Sequence, residues 1–207
     1  MIPVNVLAVR YLANASTSLL KGLGVPKDTP SLGLLTTDCD DATYIALDEA
    51  TKAADVKVCY GRSFYAGAGN ASTPNAGEVV GIIAGATPGA VKSGMEAVLS
   101  TLERVGFEEI NGVPYLAATV SSVGSFLAGE AKVPEGSAIA YLIAPPLESM
   151  FALDAALKSA DVKLCKLYAP PSETNFGGGL LSGTQSACDS ARDAFAAAVA
   201  EVARQPK

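Results

Sequence analysis

The chain has 207 residues, of which 49% are hydrophobic and only 17% charged, and its net charge at pH 7 is −6. The negative charge and the lack of a basic run exclude a nucleic-acid-binding protein, because nothing would neutralise the phosphates. The sequence contains no histidine, which excludes Ser-His-Asp and Cys-His catalysis, so no catalytic residue is predicted. The low charge favours an extensive interface with other chains.

The first half of the chain predicts alternating strands and helices. A β-rich segment, Val4–Leu12, is followed by a short amphipathic segment and a second apolar run, Leu32–Leu35. A helix begins at Asp40-Asp41, where acidic residues suit the unpaired N–H groups of a helix start. After it come the strands Val56–Tyr60 and Val79–Ala84 and a helix over Pro88–Val105, for which Thr87 is the expected N-cap.

The second half repeats the first. The 14 residues from Ala46, ALDEATKAADVKVC, align without a gap with those from Ala152, ALDAALKSADVKLC, and ten are identical. An offset of 106, close to half the chain length, indicates a tandem duplication. The second copy accordingly predicts the strands Tyr115–Val120, Ala138–Ala144, Val162–Tyr168 and Gly179–Leu181, a helix from Pro145-Pro146 and a helix over Ser186–Arg204.

Strands that return as hairpins predict a mainly antiparallel sheet flanked by helices in each copy, an α/β fold of the α+β type. The domains are predicted at residues 1–110 and 111–207. Their boundary falls near Glu108–Pro114, EEINGVP, where acidic, Gly and Pro residues follow one another. The four cysteines form no CxxC pair and are predicted to be small buried hydrophobic residues; they are Cys39, Cys59, Cys165 and Cys188.

Several longer strings resemble bacterial microcompartment shell domains. These strings are Ser31–Lys52, Tyr60–Ala68, Gly89–Val98, Ala140–Glu148 and Ala169–Gly183. Two such domains in one chain resemble the tandem-domain, trimer-forming members of that family, and among them the ethanolamine-utilisation shell proteins. The family's Arg-Gly-Asp before the last helix is replaced here by Ala84-Gly85-Ala86 and Ser182-Gly183-Thr184, so no role is carried over from that arginine.

The resemblance implies two permuted shell domains in a flat homotrimer of pseudo-sixfold symmetry. It implies that this trimer tiles edge to edge with other shell proteins around a cobalamin-dependent ethanolamine ammonia-lyase pathway. It also implies that ethanolamine, products or cofactors pass through its pores, with no catalysis and no bound cofactor. The N-terminus lacks a signal-peptide pattern and no apolar stretch is long enough for a membrane span, so we expect a cytoplasmic shell. The alternative is a soluble trimeric protein that senses a small molecule or binds an effector.

The Gly-rich connections after the repeated helix are the expected pore loops, since the resemblance puts this turn at the pore. They cover Gly61–Gly77 and Pro170–Gly179 and are longer than an ordinary hairpin turn. The surplus of the first is predicted to form a plug that opens by rearrangement, the alternative being turns without a gate. The residues assigned to the pore are Gly61, Ala66, Gly67, Gly69, Asn70, Asn175, Phe176, Gly177 and Gly178.

Ethanolamine carries an ammonium and a hydroxyl group, so its site calls for carboxylates and an aromatic face. The predicted small-pore site consists of Asp40, Glu78 and Tyr65, with Asp41 and Phe107 as further candidates. The repeat makes this acidity asymmetric, because Asp40 and Asp41 correspond to Pro146 and Leu147. The alternative is that the acidic residues only stabilise the helix start.

Two motifs resemble ligand-binding loops, but their residue spacing excludes both. In DCDD the glycine that a calcium loop requires would fall at Thr43, so no metal site is predicted. The string Gly85–Ser93 lacks the spacing of a phosphate-binding loop.

Lys52 and Lys158 occupy equivalent repeat positions. The resemblance puts such lysines at the tile edge, the alternative being a solvated helix surface.

Overall fold

The computed structural model describes residues 1–64, 75, 77–170 and 174–207. These residues form two compact units. The N-terminal unit consists of Pro3–Val105 together with Gly124–Phe126. The C-terminal unit consists of Met1–Ile2, Gly106–Val123 and Leu127–Lys207. A three-residue segment of the second sequence repeat therefore belongs to the unit that the first repeat builds.

The N-terminal unit is a four-stranded antiparallel sheet with three helices. Its elements are β1 (Val6–Leu12), α1 (Thr17–Gly22), β2 (Ser31–Thr37), α2 (Asp40–Ala53), β3 (Val56–Ser63), β4 (Val79–Gly85) and α3 (Pro88–Leu102). The strand order is β1-β2-β4-β3. The core between the sheet and α2 and α3 contains Leu47, Ile83 and Met95, whose side chains are fully buried.

The C-terminal unit repeats this arrangement with one added strand. Its elements are β5 (Glu108–Ile110), β6 (Val113–Val120), α4 (Ser125–Ala131), β7 (Ala138–Ala144), α5 (Pro146–Ser159), β8 (Val162–Tyr168), β9 (Gly177–Gly183) and α6 (Gln185–Arg204). The strand order β5-β6-β7-β9-β8 matches that of the first unit once β5 is set aside. Both the antiparallel sheets and the duplication are confirmed.

Side-chain caps fix where the long helices begin. The Thr87 hydroxyl accepts a hydrogen bond from the Ala90 amide at 3.2 Å, and Thr184 accepts from the Ala187 amide at the same distance. The predicted cap of α3 is therefore confirmed, and the equivalent threonine of the second repeat does the same for α6. Each bond satisfies one N–H group that the helix itself leaves unpaired.

The residues at the predicted domain boundary, Glu108–Pro114, lie in a β-hairpin. Ile110 pairs with Val113 across a two-residue turn. Asn111 and Gly112 have φ angles of 51° and 80°. Positive φ at both turn residues is the type I′ conformation that Asn-Gly favours in hairpins. The composition indicated a break, but the Asn-Gly pair between apolar residues was the stronger signal.

A β-bulge interrupts the strand after the repeated helix in both units. The register of β3 shifts between Val58 and Tyr60, and that of β8 shifts between Leu164 and Lys166. An extra residue reverses the alternation of side chains beyond it. Val56 and Val58 contribute to the α2–α3 side of the sheet before the bulge, whereas Gly61 and Ser63 reach that side beyond it.

The predicted ends of the pore connections are wrong. Gly61 lies within β3, and Gly177 and Gly178 lie within β9. Gly178 has a φ of 151°, and a Cβ atom there would lie 1.9 Å from the Leu142 carbonyl oxygen. This glycine is therefore required by close strand packing rather than by a mobile turn.

The prediction that the cysteines are buried holds for Cys188 only, since the other three are half-buried.

Candidate functional site: a buried acidic cluster

The start of α2 is anchored by two threonines. The Thr37 and Thr43 hydroxyl groups lie 2.7 Å apart, and Thr43 donates to the Cys39 carbonyl oxygen at 2.7 Å. The Cys39 amide in turn donates to the Thr37 hydroxyl at 3.2 Å. Because Cys39 itself provides no side-chain cap, these bonds hold the chain as it turns from β2 into the helix.

Two carboxylates are buried in the first turn of this helix. Asp40 is 8% exposed and Asp41 is 7% exposed. The Asp40 carboxylate accepts a hydrogen bond from the Asp41 amide at 2.9 Å. Burial raises the pKa of Asp40, and the hydrogen bond from Ser63 and bonds from backbone N–H groups oppose that rise. The Asp40 carboxyl group, which can ionise, is thus held where water has little access.

A third carboxylate belongs to Glu78, an exposed residue directly before β4. Its amide donates to the Thr37 carbonyl oxygen at 2.7 Å, and its carbonyl oxygen accepts from the Phe64 amide at 3.0 Å. The preceding residue, Gly77, has a φ of 61°, and a Cβ atom there would lie 2.2 Å from the Thr37 carbonyl oxygen. The pKa of Glu78 is raised by burial and then by the charges of Asp40 and Asp38. The carboxylates are therefore close enough to repel one another.

The carboxylates of the acidic cluster are acceptors of the kind that an ammonium group binds. Among the described residues no group of three or more Cys, Asp or Glu side chains is arranged to hold a metal ion. Asp38, the remaining acid of the DCDD string, is occupied by Asn5, whose amide and side-chain nitrogen donate to it at 2.8 and 2.6 Å. An ammonium group, by contrast, needs only acceptors and compensates buried negative charge.

Two neighbours of the cluster were not predicted. The Tyr44 hydroxyl lies 2.5 Å from the Ser63 hydroxyl, and Ser63 also hydrogen-bonds Asp40. Tyr44 follows Asp40 by four residues on α2, a spacing that puts both side chains on one helix face. This spacing could have predicted from the sequence that Tyr44 lies near Asp40. No sequence signal pointed to Ser63, because simple strand alternation ignores the bulge.

The remaining candidates divide between the two units. Asp40, Asp41 and Glu78 lie in the N-terminal unit. Phe107 lies in the C-terminal unit, where its ring packs edge-on against Phe176 with 5.2 Å between ring centroids. Asn175 is exposed beside Phe176. The predicted residues that lie outside the described part of the chain are Tyr65, Ala66, Gly67, Gly69 and Asn70.

The paired lysines differ in their surroundings. The Lys158 side chain is 73% exposed and its ammonium lies 2.5 Å from Asp154. The Lys52 side chain is 27% exposed, and its ammonium lies 2.5 Å from Glu49 and 3.7 Å from the fully buried carboxylate of Asp48. Lys158 is therefore free to be changed without disturbing the fold, whereas Lys52 balances a buried charge.

Comparison with known proteins decides the family. The chain is 56% identical over its whole length to the bacterial microcompartment shell protein EutL of Clostridium perfringens, covering 97% of that protein. It is 45% identical over its whole length to EutL of Escherichia coli K12, covering 96% of it. This chain belongs to the EutL family of bacterial microcompartment shell proteins. The family model of the BMC domain matches residues 31–112.

A solved structure of the EutL family has the same fold. The crystal structure of ethanolamine utilization protein EutL from Leptotrichia buccalis matches with a TM-score of 0.95 and 55% identity. The match covers 99% of this chain and 96% of that one. No helix of the described residues is both long and apolar enough to cross a bilayer.

Replacing Asp40 by asparagine should stabilise the protein at neutral pH. The raised pKa means that Asp40 binds a proton more tightly in the folded state than in the unfolded state. Its contribution to stability is complete below about pH 4, near its unfolded pKa, and is lost as pH rises through its folded pKa. Asparagine keeps an acceptor oxygen without the buried charge.

Urea unfolding at pH 3.5 and pH 7.5, at one protein concentration, tests the predicted direction of the change in the free energy of unfolding. Asp40→Asn should have the higher free energy of unfolding at pH 7.5, and the difference should vanish at pH 3.5. Asp55→Asn removes an exposed carboxylate at the end of the same helix and should change stability by no more than about 0.5 kcal/mol. An Asp40→Asn protein less stable than the natural one at pH 7.5 would contradict the assignment.

Proposed function

We propose that this chain is a shell tile of an ethanolamine-utilisation microcompartment. Three copies form a flat ring of pseudo-sixfold symmetry, and ethanolamine, products or cofactors pass through its pores. The observation that carries the proposal is the full-length relationship to EutL shell proteins at 56% identity. The two repeated units supply the six similar positions that such a ring needs. The shell would enclose the cobalamin-dependent ethanolamine ammonia-lyase pathway.

One face of the N-terminal unit supports a model for the contact between copies. The buried Asp48 carboxylate on α2 accepts a hydrogen bond from the Gly124 amide at 2.7 Å. The Phe126 ring lies 5.9 Å from that of Tyr44, and a Cβ atom at Gly61 would lie 3.3 Å from it. The segment Gly124–Phe126 of the second repeat thus covers the face built by α2 and β3.

The equivalent face of the C-terminal unit is exposed. Asp154 corresponds to Asp48 and is 63% exposed. Met150 and Leu167 correspond to Tyr44 and Gly61 and are 37% and 49% exposed. In the first repeat the counterpart of Gly124–Phe126 is 16–18. We infer that residues 16–18 of the next copy cover this α5–β8 face, which closes the ring with three chains.

A charge on this face should break the ring. Leu167→Lys places an ammonium in the proposed contact, where its desolvation is unfavourable, so native mass spectrometry should show monomers. Leu167→Met keeps an apolar side chain and should remain trimeric like the natural protein. Trimers of unchanged stability in Leu167→Lys would refute the proposed contact while leaving the family assignment intact.

Lys158 is the better of the two lysines for a test of the tile edge. An extended lysine stem can lie along a neighbouring tile with its ammonium on backbone carbonyl oxygens. Lys158→Asp should abolish two-dimensional sheets in electron micrographs, and native mass spectrometry separates this effect from a loss of the trimer, because Asp154, the partner of Lys158, lies on the α5–β8 face. Lys158→Arg should retain sheets, and sheets of normal order from Lys158→Asp would refute the edge assignment. A natural protein that forms discrete trimers without sheets would instead favour the small-molecule sensor.

We infer that the connection between β3 and β4 and the connection between β8 and β9 surround the central opening, as the resemblance implies. The Phe107–Phe176 contact supports a fixed base for the second connection beside β9. Ethanolamine bound at Asp40 and Glu78 would tether the first connection at Gly77. Such binding biases an opening equilibrium only if the ligand binds the two states unequally.

Ethanolamine should bind the acidic cluster. The ammonium would sit between the Asp40 and Glu78 carboxylates and relieve their repulsion. Glu78→Gln or Asp40→Asn should therefore weaken binding by roughly 1.5–3 kcal/mol, the worth of a hydrogen bond to a charged group. Isothermal titration calorimetry measures this directly, with Glu49→Gln, an exposed carboxylate on the same helix, as the control. Unaltered affinity in both variants would exclude this cluster as the site.

A further inference from the structure

A cavity of about 330 Å³ lies beside the end of β1 in the N-terminal unit. Its lining includes Tyr11 of β1, Leu32 of β2, and Pro88, Val91 and Lys92 near the start of α3. A volume of this size is within the range of ligand-binding pockets, which are mostly apolar with a few polar groups. Among the described residues that line the cavity, only Lys92 is charged. The cavity therefore suits an apolar group that has a negative charge next to it.

The strand beside this cavity has an open edge. β1 is the outermost strand of its sheet, and within the described part of the chain no strand pairs with its other side. Such an edge offers backbone N–H and C=O groups to another chain. The Arg10 guanidinium donates to the Val9 carbonyl oxygen at 2.7 Å, so one main-chain acceptor of β1 is bonded by a side chain. Tyr11 and Leu12 are 48% and 37% exposed, so the edge also presents apolar surface.

The C-terminal unit covers the equivalent edge with its own chain. Its strand β6 corresponds to β1 in the strand order, and the hairpin strand β5 pairs with the outer edge of β6. β5 consists of Glu108, Glu109 and Ile110. The duplication thus contains one copy of this edge with a short acidic and apolar strand bound to it. Among the described residues the N-terminal unit has no such strand.

The charge beside the cavity is also balanced differently in the two units. Asp189 is the counterpart of Lys92, because each follows the capping threonine of its helix by five residues. Arg192 forms an ion pair with Asp189 at 2.8 Å and reaches the Thr119 hydroxyl at 3.4 Å. Lys92, by contrast, is exposed and forms no ion pair with any described residue. The N-terminal unit therefore keeps a cation available at the cavity.

We propose that the β1 edge and this cavity are a docking site for an extended acidic segment of a partner protein. The segment adds a fifth strand to the sheet through main-chain hydrogen bonds to β1. One of its apolar side chains enters the cavity, and a neighbouring carboxylate pairs with Lys92. A second copy of β1 suits the edge less well, because it brings Arg10 rather than an acid. This docking role goes beyond the proposed function and does not depend on the ethanolamine site.

A synthetic peptide tests strand addition. Fluorescein-labelled Thr-Glu-Glu-Ile-Thr-Val, which carries the residues of β5 in a strand-forming context, should bind the full-length protein in fluorescence anisotropy. The same peptide with alternate backbone nitrogens methylated keeps its side chains but loses main-chain donors, so it should bind about tenfold more weakly or worse. Equal binding of the methylated peptide would overturn strand addition and indicate a pocket for free apolar acids. No binding of the unmodified peptide would overturn the docking site.

Variants of the protein locate the bound peptide. Lys92→Glu should lower the affinity about tenfold or more, because an ion pair becomes a repulsion, whereas Lys92→Arg should retain binding. Lys27→Glu makes the same change of net charge at an exposed lysine outside the cavity and is the control. Ala13→Leu, at an exposed residue of the lining, should weaken binding by filling the cavity. Equal losses in Lys92→Glu and Lys27→Glu would overturn the Lys92 contact, and unchanged affinity in Ala13→Leu would overturn side-chain insertion.

Discussion

The buried carboxylate of Asp48 is the interaction on which much of the N-terminal unit depends. A charge removed from water must find donors, and Asp48 finds the Gly124 amide and the Lys52 ammonium. That bond fixes a segment of the second repeat on α2, and the segment brings the Phe126 ring against Tyr44. One hydrogen bond to Asp48 therefore helps to place a ring against Tyr44, on the helix that also carries Asp40.

The acidic cluster places ionisable groups where their charged forms are disfavoured. Asp40 and Asp41 are both buried within one turn of a helix start, and burial raises the pKa of Asp40. Hydrogen bonds from backbone N–H groups oppose that rise. A bound ammonium, as proposed above for ethanolamine, would add a positive charge to these interactions.

The sequence predicted the topology well because the duplication allowed each element to be checked against its copy. The helices at Asp40 and Pro146 and the strands at Ala138 and Val162 begin at or within one residue of the expected positions. Side-chain partners were harder to predict. Ser63 joins the cluster only because a bulge reverses β3, and residue types give no direct sign of a bulge. Phe126 is distant in sequence, so only the folded chain shows that it holds Tyr44.

The two β-bulges also record the history of the chain. Inserted residues at matching places, Cys59 in β3 and Cys165 in β8, are most simply inherited from a single ancestral domain. Asp40 and Asp41 occur in one copy only, since Pro146 and Leu147 occupy the equivalent positions, so the two copies diverged after the ancestral gene was doubled. A protein with a single domain would carry the same residues at every equivalent position. Fusion of two copies allowed one unit to gain this acidity while the other kept the shared scaffold.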